Sequence, residues 1–167
     1  LQTIDQKIDL DLQQVASPSH ADLRIYAIRE HQGWDDNTVG QVIPDPEGWS
    51  VLWKATDQSH HLSDFDANTI IHELGHALGL SHPGQNGHDQ RWSTKDTVMS
   101  YNMSPDGWDT TFSQADQNAL LHLWGAESQP RNTPHLPHAP NRQSNLESSS
   151  DAIPIQSDWT EGHFSLL

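Results

Sequence analysis

Three histidines, at positions 72, 76 and 82, stand within HELGHALGLSHP (72–83), with Glu73 beside the first and Gly79 between the second and third. Side chains four apart on a helix share a face one turn above each other, so His72 and His76 can close on a single ion. A third helical ligand would fall near position 79 or 80. Gly79 stands there instead, and glycine takes the positive φ that ends a helix and turns the chain, which can return His82 to the same ion. Neutral imidazole nitrogens suit zinc, and three protein ligands leave a fourth position open for water, as in a catalytic rather than a structural site. Glu73 projects from a neighbouring part of the same face and is the natural general base without itself binding the ion. Zinc lowers the pKa of its water to about 7, and a carboxylate alongside can take the proton as a polarised carbonyl is attacked. That chemistry is peptide-bond hydrolysis.

The competing explanation is a helix with scattered surface histidines, in a chain that has 12 of them. The five fixed identities of His-Glu-x-x-His-x-x-Gly-x-x-His arise by chance on the order of once in a million starting positions, and here they fall on a helix that ends where required.

HELGHALGLSH resembles the long zinc signature of the metzincin metallopeptidases, whose second mark is a tight turn with a methionine beneath the metal. TVMSYN (97–102) is similar to that turn, with Met99 in the methionine's place. Pro83 and Gly84 after His82, the Met-Ser-Tyr run and a closing helix ending in LWGA look most like the serralysin side of the serralysin and matrixin branch. The resemblance implies that Tyr101 is an additional, displaceable zinc ligand that swings away to hydrogen-bond the oxyanion, a role open to a phenol, which can both ligate and donate. It further implies an α+β fold, a twisted mixed β-sheet over the zinc-binding helix with a C-terminal helix, and secretion. The substrate would be a polypeptide held in extended form along an antiparallel edge strand, for which TVGQVI is the candidate. Two departures stand out. The family's N-terminal strand and long helix precede the segment that corresponds to residue 8 onward, so Leu1 to Ile8 would be only the tail of that helix. The glycine-rich calcium-binding repeats of serralysins have no counterpart here.

Several elements must position these residues. IDLDLQQV (8–15) and LRIYAI (23–28) alternate apolar and polar residues and read as strands, as do TVGQVI (38–43) and WSVLWKA (49–55), joined by the turn PDPEG. In SDFDANTIIHELGHALGL, Ser63 or Asp66 can cap a helix whose stripe is Ile70, Leu74, Ala77 and Leu78. Residues 83–98 have no period. FSQADQNALLHLWGA reads as a second long helix, with Ser113 and Asp116 as a capping box, Gly125 as terminator, and Ala119, Leu120, Leu123 and Trp124 facing the core. The reading is a catalytic domain over 1–126 followed by a tail, 127–167, rich in Pro, Ser and Asn, expected to be flexible. The slightly apolar SDWTEGHFSLL at its end can dock somewhere.

A formal charge of -15, from 23 acidic and 8 basic side chains, speaks against nucleic acid and anionic membrane surfaces as partners. A monomer is expected. The chain has no cysteine, so any metal is held by His, Asp, Glu or Tyr. Asp35, Asp36 and Asn37 offer oxygen ligands where related matrixins hold calcium, although a solvated acidic turn is the commoner reason for such a loop. His60 and His61 are expected to be exposed, His88 and Asp89 to lie near the cleft or simply in a polar loop, and His135 and His138 to reflect tail composition. Besides the active peptidase, an alternative is a latent or inactive metzincin-like zinc-binding protein whose tail occludes the cleft, with Trp159 and Phe164 as plugs.

Overall fold

The structure is a computed structural model that describes residues 2–46, 48–56 and 62–128, and the backbone of 164–166. Its elements are a short helix α1 (Gln2–Asp5), strands β1 (Leu23–Ile28), β2 (Gly40–Asp45) and β3 (Gly48–Lys54), helices α2 (Asp64–Ala77) and α3 (Gln114–Trp124), and a final strand β4 (Phe164–Leu166). This is a small α+β fold with a mixed sheet in the order β2-β3-β1-β4. β1 runs parallel to β3, with Ile25 opposite Val51, and β2 runs antiparallel to β3, with Val42 opposite Val51. β2 is therefore one rim of the sheet. It starts two residues later than its sequence pattern predicts and continues through Pro44, a residue that only an edge strand accommodates readily.

Helix α2 packs on β3 and β2. Ser63 is its cap and Asp66 the reciprocal partner: the Ser63 hydroxyl accepts from the Asp66 N–H, and the Asp66 carboxylate accepts from the Ser63 N–H. The helix ends at Gly79, whose φ of 99° lets the Leu80 N–H reach back to the Gly75 carbonyl at 2.8 Å. Leu74, Leu78 and Leu80 join Ile8, Leu23, Ile25, Val51, Trp53, Val98, Met99, Phe112 and Leu120 in one buried cluster.

Two expectations change, and a third acquires a place. The segment 8–15 is not a strand: it makes only isolated bridges, Ile8 with Ala126 and one at Gln14. Alternation does sort its side chains, with Ile8 buried and Leu10 and Leu12 against the core, but a strand also needs a neighbour for its ladder. Here the Asp5 carboxylate takes the Leu12 N–H at 2.8 Å instead. In α3, Leu120 is fully buried with Leu121 and Trp124 against the cluster, whereas Ala119 is exposed and Leu123 is 52% exposed. The Trp124 indole N–H donates to the Leu78 carbonyl at 2.9 Å, tying the end of α3 to the end of α2. Third, Phe164–Leu166 pairs antiparallel with Leu23–Ile25 at the rim opposite β2, so the apolar end of the chain docks on the sheet. The expected flexibility of the tail, Trp159, and the histidines at 60, 61, 135 and 138 fall outside the described residues. Among those described, no helix is long and apolar enough to cross a membrane.

Candidate metal centre

His72 and His76 lie one turn apart on α2, with ring centroids 4.8 Å from each other. The Gly79 turn brings His82 to meet them, its Nε2 lying 3.2 Å from the Nε2 of His72 and 3.2 Å from that of His76. The three nitrogens all fall within 4.8 Å of one another and could hold a metal ion. Their protonation follows from the second ring nitrogens. His72 Nδ1 lies 2.8 Å from the Val98 carbonyl oxygen and His76 Nδ1 lies 2.9 Å from that of Leu80. A carbonyl only accepts, so each Nδ1 carries the hydrogen and each Nε2 presents a lone pair to the centre. Lone pairs 3.2 Å apart repel, and a cation between them turns the repulsion into attraction. The spacing also fits: nitrogens bonded at about 2.0–2.1 Å around a tetrahedral ion are about 3.3–3.4 Å apart.

Burial acts in the same direction. It pushes the His72 imidazole down to about 4 from an ordinary value of 6.5, and lowers that of His82, so both favour the neutral form that ligates. Glu73 is also buried, which pushes its carboxyl up to about 7. Strand β2 crosses close above it: a Cβ on Gly40 would stand 2.7 Å from Glu73 Cγ and Oε1. Glu73 is thus placed between the triad's helix and the sheet rim.

Met99 lies 1% exposed below α2, so close that a Cβ on Gly75 would stand 2.5 Å from its sulfur. Asp116 holds the turn that carries it. One of its carboxylate oxygens accepts from the Thr97 hydroxyl at 2.6 Å, and the other from the Val98 N–H at 3.0 Å and the Ser113 N–H at 2.9 Å. A single buried carboxylate therefore caps α3 and fixes Val98, whose carbonyl orients His72. Tyr101 follows, 44% exposed, with its ring stacked on His72 at 5.1 Å and set edgewise to His82 at 4.7 Å. Partial burial raises its phenol above the ordinary value, and the charge of Glu73 adds to the effect, so Tyr101 retains its proton.

Of the six residues singled out by spacing and resemblance, His72, His76 and His82 converge on one point and the Tyr101 ring lies against two of them, whereas Met99 packs on Gly75 of α2 and Glu73 lies beside Gly40 of β2. Asp35, Asp36 and Asn37 do not belong to this centre. The Asp35 carboxylate closes its own turn, accepting from the Asn37 N–H and the Thr38 hydroxyl, and among the described residues only the three histidines form a metal-holding group of His, Cys, Asp or Glu. Sequence reasoning did not anticipate the support around the triad: the carbonyls of Val98 and Leu80, the tight packing at Gly40 and Gly75, and the second role of Asp116. The sole available signal was the capping box, which accounts for Asp116 without the turn. Neither a family model nor a curated protein matches the chain.

Proposed function

We propose that this protein is a zinc-dependent endopeptidase of the metzincin type, on the serralysin and matrixin branch. The reading is carried by one observation: three Nε2 lone pairs converge, with the opposite nitrogens of His72 and His76 locked onto backbone carbonyls. The methionine below the triad, the tyrosine beside it and the acid that follows the first histidine support it. When bound, zinc supplies Lewis acidity toward the scissile carbonyl and acidifies water.

The chain's own residues do the rest. The carboxylate of Glu73 takes a proton from the attacking water as the oxygen–carbon bond forms. It returns that proton to the amide nitrogen as the carbon–nitrogen bond breaks, leaving a carboxylic acid and an amine, between which the remaining proton of the water redistributes to give carboxylate and ammonium. The Tyr101 hydroxyl donates to the oxygen on which negative charge builds. The rim of β2, with Gly40 leaving room beside Glu73, pairs main chain to main chain with an extended polypeptide. On this reading the enzyme is secreted and acts as a monomer.

The deciding experiment is metal analysis together with cleavage of a broad peptide library by the wild type and Glu73→Ala. The expected result is one zinc per chain in both proteins and cleavage by the wild type alone. A zinc-loaded wild type that cleaves nothing in the library overturns the reading.

A further inference from the structure

Tyr101 is half exposed, and a phenol acts as an oxyanion donor only while it is held in register with the reacting carbonyl. Its ring lies against the imidazoles of His72 and His82, and also against a third, that of His88, with centroids 4.8 Å apart and planes tilted by 58°. His88 belongs neither to the triad nor to any step above, and its exposure rules out a role in core packing. It is nevertheless carefully placed. The His88 N–H donates to the Asn86 side-chain oxygen at 3.1 Å, and the Tyr101 N–H donates to the Gly87 carbonyl at 2.8 Å. The Asn102 side-chain amide donates to the Asp89 carbonyl at 2.9 Å. These bonds lace the 86–89 turn to the segment carrying Tyr101. Gly87 lies flat against the phenol: a Cβ there would stand 2.6 Å from ring atoms Cδ2 and Cε2.

We propose that His88 is a positioning residue for Tyr101, its imidazole confining the phenol ring over His72 and His82. The functional arm of this inference rests on the peptidase reading, whereas the contact itself does not. In the 167-residue chain, His88→Ala is expected to lower kcat about tenfold with KM within about twofold and zinc content unchanged, because a displacement of about 1 Å is costly to a positioned donor. His88→Phe, which keeps a ring in place, should recover most of the loss. In a Tyr101→Phe background, His88→Ala should cost less than about twofold, since residues acting through one group are not additive.

Ring-proton NMR of tyrosine-labelled, metal-free protein gives a readout independent of turnover. The chain has two tyrosines, so Tyr26 serves as the internal control. The Tyr101 lines should move in His88→Ala and not those of Tyr26. Unmoved Tyr101 lines, or an equal loss of kcat in the Tyr101→Phe background, overturn the inference. Moved Tyr101 lines in a protein without peptidase activity sustain the contact and overturn the peptidase reading instead.

Discussion

At the residue scale, the side chains around the metal centre have separable duties, and substitution should separate them. His82 is the one histidine of the triad outside α2, and its Nε2 lies 3.2 Å from the Nε2 of each of the other two. His82→Ala should therefore lose stoichiometric zinc, as measured by metal analysis after dialysis. Retention of one zinc per chain would remove the third ligand. On the peptidase reading Glu73 would handle a proton rather than the ion, so Glu73→Gln should keep the metal and lose about 100- to 10,000-fold in rate; near wild-type turnover would exclude it as base. Tyr101→Phe removes one donor, worth about a hundredfold in kcat, with zinc affinity largely kept. The opposite pattern, zinc loss with normal turnover per bound ion, would make Tyr101 only a ligand. The three histidines were legible in the sequence because the relevant geometry is local: two histidines one turn apart and a glycine that ends the turn, whereas Tyr101 was reached only through the family resemblance. Gly40 was not legible, because its constraint comes from Glu73 on another element.

At the scale of elements, what could be read was whatever a segment settles by itself. The capping box Ser113–Asp116 forms as its sequence suggests, and at α2 the two alternative caps turn out to act together, Ser63 as the cap and Asp66 as its partner. β1 and β3 form where they were read, although burial in them does not alternate: Val51, Leu52 and Trp53 of β3 are all buried. The segment 8–15 alternates in sequence as β1 does and still forms no strand, because pairing depends on a neighbour that its own residues do not specify. The inward face of α3 was read in part: Leu120 and Trp124 face the core as expected, but Leu121 joins them in place of Ala119 and Leu123, because which neighbours a helix meets is not written in its own stripe. Residues 83–98 lack any period, since their order rests on individual bonds such as those from the Ser100 hydroxyl and the Asn102 amide to the Trp92 carbonyl. The Asp116 connection joins residues 18 and 19 apart and leaves no local trace. Asp116→Ala should therefore do more than uncap a helix, which costs about 1 kcal/mol. It strips the Thr97 hydroxyl and the buried Val98 N–H of their acceptor, so the loss in denaturant unfolding should be about 2–4 kcal/mol, with metal affinity down about 10- to 100-fold. A loss of about 1 kcal/mol with unchanged affinity would confine Asp116 to its capping role.

At the scale of the whole molecule, the sheet has two rims with different fates. β2 is left as a rim, while β4 covers Leu23–Ile25 of β1. Deleting residues 157–167 should leave zinc binding intact, because the triad lies elsewhere, but it uncovers backbone donors and acceptors along β1. Concentration-dependent association of the truncated chain is expected in light scattering; a monomer that stays soluble throughout would make β4 dispensable. The link through Asp116 has a wider consequence. An ion that binds only the folded arrangement stabilises it by mass action, and the chain of bonds from His72 through Val98 to Asp116 extends that linkage to the N-terminus of α3. Amide exchange in the first turn of α3 should therefore slow on zinc loading. A chelator would act on this protein as a mild denaturant whose first target is a helix that holds none of the three ligands.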